Sequence, residues 1–162
     1  MIKIAVSACL LGKNVRYDGK NKYVDLDKYF DSNRYQLCGI CPEVEMGMSI
    51  PREPIQIIQN NNGIKLVNVE NQNIDHSETM TQWFQNSLCA LKKYQGFILK
   101  SKSPSCGNQT TVHYSFNDHQ NLSDGYFVSL LKEQINNPLI IDENSLLNEN
   151  SLSQFKKNLN LS

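Results

Sequence analysis

The chain has 162 residues, with 16 Lys and Arg against 16 Asp and Glu, so its formal net charge is zero. That balance gives no electrostatic case for duplex nucleic acid or an anionic membrane as the main partner. The length suits one domain over 1–162, able to bury roughly 70% of its unfolded surface without a disulfide staple.

Lys3-Ile4-Ala5-Val6-Ser7-Ala8 is short, apolar and β-branched, and predicts a first buried strand close to the N-terminus. No signal-peptide pattern precedes it and no apolar run is long enough to span a bilayer, so a cytoplasmic protein is expected. In a reducing compartment the five cysteines are expected to bind metal, catalyse or lie buried, not to pair. Cys9 follows the first strand directly. Val15-Arg16-Tyr17-Asp18-Gly19 comes next, with an Asp-Gly turn signal and two charges, Arg16 and Asp18, near the thiol in sequence. Tyr23 to Tyr35 reads as a short helix and connector.

Leu37-Cys38-Gly39-Ile40-Cys41-Pro42-Glu43-Val44 carries a Cys-x-x-Cys pair with a carboxylate two residues after the second thiol. A redox dithiol would want its cysteines at the opening of a helix, and Pro42 with the non-helical run expected after it points away from that. A zinc site would need a second pair at similar spacing, which Cys89 and Cys106 stand too far apart to supply. Met46 to Pro54 reads as an irregular loop. Ile55-Gln56-Ile57-Ile58 and Ile64-Lys65-Leu66-Val67, separated by Asn60-Asn61-Asn62-Gly63, predict a hairpin. Met80, Trp83, Phe84, Leu88, Leu91 and Tyr94 recur at helical spacing, which predicts a helix from Ser77 to Tyr94 capped by Asp75 or Ser77 and stopped by Gly96. Cys89 falls within it and is expected to pack in or beside the core.

Gly96-Phe97-Ile98-Leu99 predicts a short buried strand that opens into Lys100-Ser101-Lys102-Ser103-Pro104-Ser105-Cys106-Gly107. A thiol between a proline and a glycine at a strand end suits a ligand-binding loop, because crevices beyond the carboxyl ends of strands are where open α/β sheets bind ligands. Beyond it, a strand over Thr110 to Tyr114, a polar connection over Asn117 to Asp124, a helix over Gly125 to Gln134 and a strand over Pro138 to Ile141 are expected. Ser151 to Ser162 reads as a frayed terminal helix. Alternating strands and helices predict an α/β fold, a single Rossmann-like three-layer domain with a mainly parallel sheet.

Cys9, Cys41 and Cys106 each border an apolar run at points that such a sheet brings together. Three thiols with no fourth ligand suit a [4Fe–4S] cluster with one iron open to substrate, or a zinc ion with water in the fourth position. Spacing does not separate the two.

Five segments in register, Ser7 to Gly12, Val15 to Gly19, Cys41 to Val44, Pro51 to Pro54 and Lys100 to Gly107, resemble the successive signatures of the thiouracil desulfurase family. The resemblance runs from about Lys3 to Ile141. It implies a Rossmann-like fold and a [4Fe–4S] cluster on Cys9, Cys41 and Cys106. It also implies removal of sulfur from thiolated uracil bases or nucleotides, giving the oxo base and hydrogen sulfide. In that reading Glu43 carries the proton. Ser101 and Ser103 orient the base, while Arg16, Asp18, Lys100 and Lys102 line the substrate site, the cations facing any phosphate. Cys38 lies outside the family pattern. The expected partner is a small thiolated nucleobase or nucleotide, with no membrane and no duplex nucleic acid, and the protein a monomer or weak homodimer. The rival readings are a non-catalytic iron–sulfur or zinc protein and a Cys38/Cys41 thiol-disulfide oxidoreductase.

Overall fold

The computed structural model describes residues 1–116 and 119–161. Its centre is a four-stranded, all-parallel sheet in the order β2-β1-β5-β8. The strands are β1 (Ile2–Ser7), β2 (Tyr35–Ile40), β5 (Gly96–Leu99) and β8 (Ile140–Asp142). A second, mixed sheet runs β4-β3-β6-β7, built from β3 (Ile55–Asn60), β4 (Gly63–Asn68), β6 (Thr111–Ser115) and β7 (Gln120–Ser123). The helices are α1 (Pro42–Glu45), α2 (Ser77–Leu91), α3 (Tyr126–Gln134) and α4 (Glu149–Leu159). None is long and apolar enough to cross a membrane.

The period-two alternation of strand side chains sorts the parallel sheet's residues into two cores. Ala5, Phe97 and Leu99 face one side, where Met80, Phe84, Phe127 and Leu131 of α2 and α3 join Ile57 and Leu66 of the second sheet. Ile4, Val6, Ile98 and Ile141 face the other, against Leu10, Leu26, Phe30 and the α4 residues Phe155 and Leu159. The result is the expected three-layer α/β arrangement.

Several local expectations need correction. Cys41 is followed by a helical turn, not a non-helical run: Pro42 sits at the first helical position, where its missing N–H costs nothing and its fixed φ suits the helix. The Tyr23 to Tyr35 stretch holds only a three-residue 3₁₀ turn, Leu26–Lys28. α2 stops at Leu91, and Gly96 is the first residue of β5, where a Cβ would stand 2.6 Å from Leu159 Cδ2. Cys89 is exposed, because Met80, Phe84 and Leu91 set the inward face of α2 and leave position 89 outside. The Asn117 to Asp124 connection begins on residues outside those described, and its second half is strand β7, paired with β6.

The C-terminal helix is also docked instead of frayed; Ser162 lies outside the described residues. Asn148 caps α4 by accepting a hydrogen bond from Ser151 N at 3.0 Å, and Phe155 meets Phe30 edge-on, centroids 6.3 Å apart. Phe155 is only 6% exposed. Phe155→Ala is therefore expected to lower unfolding free energy by about 3–5 kcal/mol in urea titrations, whereas a frayed tail would leave it unchanged.

Candidate functional site

Three of the four parallel strands end in loops that line one cavity of about 380 Å³, and the fourth supplies residues from behind its wall. The chain leaves β1 for β2 on one side and returns through β5 on the other, so the carboxyl edge near β1 is a topological switch point, where α/β sheets open a crevice. The wall takes Cys9 from the 3₁₀ turn after β1, Cys41 from the turn after β2 and Cys106 from the loop after β5. Cys38, on β2, is not in the wall. Its thiol lies near Tyr94 instead.

The Cys106 loop is tied down from three directions. Ser103 Oγ accepts from Ser105 N at 3.2 Å and Cys106 N at 3.0 Å, while Thr111 Oγ1 donates to Ser103 O at 2.6 Å. The start of α3 lies over the loop, with Tyr126 N donating to Pro104 O at 2.8 Å and Phe127 N to Ser105 O at 3.0 Å. Only glycine permits that approach at position 125, since a Cβ there would stand 2.5 Å from the Ser105 carbonyl carbon.

Glu43 joins two of the thiol-bearing loops. Its Oε2 accepts from Ser105 Oγ at 2.8 Å, one residue before Cys106, and its Oε1 accepts from Arg52 Nε at 3.0 Å. Arg52 N in turn donates to Tyr17 O at 2.9 Å, which brings in the segment after Cys9. Both the arginine and glutamate side chains are largely withdrawn from solvent. A pair this enclosed is well ordered, and loss of either partner would strand the other's charge.

Ser101 is buried in the wall and bound to Glu143, which stands just past β8. Ser101 N and Oγ donate to Glu143 Oε2 and Oε1 at 2.8 and 2.7 Å, and Lys100 Nζ reaches Glu143 Oε1 at 2.8 Å. Arg16 and Lys102 also line the cavity, with no carboxylate paired to either among the described residues. Asp18 is exposed and outside the wall, its Oδ1 accepting from Lys20 N at 3.0 Å. Ser103 is in the wall, but its hydroxyl is occupied by the loop amides. Ser105 and Glu143 had no signal in spacing, because their partners lie 62 and 42 residues away in sequence, and the pairing of Arg52 with Glu43, nine residues apart across an irregular loop, follows no helical or strand period.

Burial drives the thiols towards the neutral form: desolvation pushes Cys9 up to about 11 and raises Cys41 and Cys106 as well. Cys9, Cys41 and Cys106 also oppose one another's ionisation, which places them within electrostatic reach across the cavity. Two buried thiols and the half-buried Cys41 facing one space, with Lys100 and Arg16 nearby, form a donor set whose ionised state calls for a bound cationic centre. No three Cys, His, Asp or Glu side chains among the described residues are gathered as ligands of a single metal ion. The three thiols come from the ends of three different strands, and cysteine thiolates are the usual ligands of iron–sulfur clusters.

Known proteins resemble this chain in sequence and fold. The uncharacterised protein YbbK of Bacillus subtilis (strain 168) is 30% identical over 152 residues, covering 88% of this chain and 97% of that protein. The solved structure of TudS, a [4Fe-4S]-dependent thiouracil desulfidase, superposes with a TM-score of 0.70 at 27% identity and covers 100% of both chains. The family model for 2-thiouracil desulfurase matches residues 4–144, from β1 past β8 to the Glu143 that backs the cavity, and the chain belongs to that family.

Proposed function

We propose that this protein is a thiouracil desulfidase that hydrolyses the C–S bond of thiolated uracil, as the free base or a nucleotide of the 4-thio-UMP type. The observation that carries this reading is the convergence of Cys9, Cys41, Cys106 and Glu43 on one cavity at the switch point. The three cysteines would hold a [4Fe–4S] cluster, leaving one iron without a protein ligand. When bound, the cluster supplies a soft Lewis acid for the thiocarbonyl sulfur. Water oxygen replaces sulfur on the ring carbon and sulfur leaves as hydrogen sulfide, so the reaction needs no external electrons.

The protein's residues supply position and proton transfer. Arg52 and Ser105 hold the Glu43 carboxylate at the cavity wall, where it can take a proton from an incoming water and return it to the departing sulfide. Ser101 and Lys100 offer hydrogen bonds to the ring edge. Arg16 and Lys102 give the cavity mouth two cations for a nucleotide phosphate. Ser103 is assigned to the loop that presents Cys106, and Asp18 to the turn outside the wall.

The test is anaerobic reconstitution followed by assay without a reductant. About 4 iron and about 4 sulfide per chain are expected, with stoichiometric release of sulfide and uracil from 4-thiouracil or 2-thiouracil. Stoichiometric zinc without labile sulfide, or turnover only with an electron donor, would overturn the reading.

A further inference from the structure

Ser101 has one hydroxyl proton and two lone pairs, and their use is largely dictated by its neighbours. The proton goes to Glu143 Oε1 at 2.7 Å, and one lone pair accepts from Asn144 Nδ2 at 3.1 Å. Lys100 Nζ approaches Ser101 Oγ at 3.4 Å, long for a bond, while making shorter ones to Glu143 Oε1 at 2.8 Å and Ser101 O at 2.7 Å. The second lone pair of Ser101 thus holds only this long contact from Lys100, which a ligand N–H can displace.

We infer that Glu143 is a positioning residue that holds Ser101 as a hydrogen-bond acceptor, so that the cavity selects rings carrying an N–H beside the thiocarbonyl. This rests on the desulfidase reading and specifies the substrate group it recognises. A carboxylate accepts and never donates when ionised, so it fixes the direction of the Ser101 hydroxyl; a glutamine in its place could donate and let the hydroxyl turn round. Burial alone would raise the Glu143 carboxyl, but hydrogen bonds from Lys100 and Ser101 outweigh it and hold the group below the usual range. It thus remains an acceptor at neutral pH. In thiouracil the imide N3–H flanks the thiocarbonyl at either position 2 or position 4, so one acceptor serves both isomers. A site built around such a contact penalises a ligand that lacks the donor, because a desolvated acceptor is left unpaired.

The direct test is binding of 1-methyluracil and 1,3-dimethyluracil to the cluster-loaded protein by anaerobic calorimetry. These two differ only at N3 and undergo no desulfuration. The wild type is expected to bind 1-methyluracil at least tenfold more tightly. Glu143→Gln should bring the two within about threefold, given the usual strength of one such hydrogen bond, with iron and sulfide content unchanged. Glu143→Asp, which keeps an acceptor-only group, should recover part of the preference. The steric cost of the N3 methyl would survive Glu143→Gln, so an unchanged ratio in that variant overturns the inference. Equal binding of the two ligands by the wild type also overturns it. If Glu143→Gln does not fold, Ser101→Ala carries the same expectation, since it removes the acceptor and leaves the carboxylate. Failure of thiouracil turnover together with retained N3–H selection would overturn the proposed function while supporting the role of Glu143.

Discussion

Replacing Cys9, Cys41 or Cys106 by alanine, one at a time, is expected to abolish cluster retention and all sulfide release. Each thiol comes from the end of a different strand, so none has a neighbour that can take its place, and two thiolates hold a cubane at only two corners. Cys38→Ala and Cys89→Ala should retain the cluster and turnover, since Cys38 lies outside the cavity wall and Cys89 on the exposed face of α2. The measurement is iron and labile sulfide per chain, with the charge-transfer absorption of the cluster, on anaerobically purified variants. Because desolvation favours the neutral form of all three parent thiols, the alanine variants remove no charge and should fold and melt much like the cluster-free parent. Loss of iron would then report coordination and not unfolding. A Cys38→Ala variant that loses the cluster, set against a Cys41→Ala variant that keeps it, would transfer the ligand role to Cys38.

The thiols were legible in the sequence because their position depends on local chemistry. An apolar, β-branched run followed at once by cysteine marks a strand end, and a parallel sheet gathers such ends on one edge. Glu43 was legible for the same reason, being two residues from the Cys41 thiol. Its bonds to Arg52 and Ser105 were not, because 62 residues separate Glu43 from Ser105 and only the parallel pairing of the strands closes that distance. Glu143 was hidden in the same way, 42 residues from Ser101 and just past the edge strand β8 that pairs with β5.

Other differences have separate causes. α1 has four residues, too few to display helical periodicity, and its one signal was a proline at the position where helices tolerate it. β7 is an edge strand whose Gln120-Asn121-Leu122-Ser123 sequence is polar, so hydrophobic alternation does not mark it. α4 did carry a signal, since Leu152, Phe155 and Leu159 fall on one helical face. Its many Asn and Ser residues obscured that face. The loop role of Ser103 was hidden for a different reason: a serine one residue before a proline is equally suited to a ligand contact and to a loop cap, and here its oxygen accepts from the amides of Ser105 and Cys106.

Glu43→Gln is expected to lower kcat by about 10²–10⁴ while leaving the cluster and substrate affinity near normal, the loss typical of removing a general acid–base group. The substitution is close to isosteric. The glutamine oxygen can accept from Arg52 Nε, and its amide can donate to Ser105 Oγ if that hydroxyl rotates, so the hydrogen-bonded link between the Cys41 and Cys106 loops survives although Arg52 loses its counter-charge, a cost read as lowered thermal stability. What disappears is the basicity. A Glu43 that served only as a brace would behave differently: weakening it would loosen both loops, and iron content and sulfide release would fall together. Ser105→Ala provides the complementary case, because it keeps the carboxylate but removes one of its two anchors. A rate loss smaller than that of Glu43→Gln is expected there, with some loss of iron because Ser105 adjoins Cys106. Single-turnover sulfide release and iron content measured on the same samples separate the two roles. Full iron occupancy with near-normal sulfide release from Glu43→Gln would remove Glu43 from proton transfer and move that role to Ser101, backed by Glu143, or to a bound water.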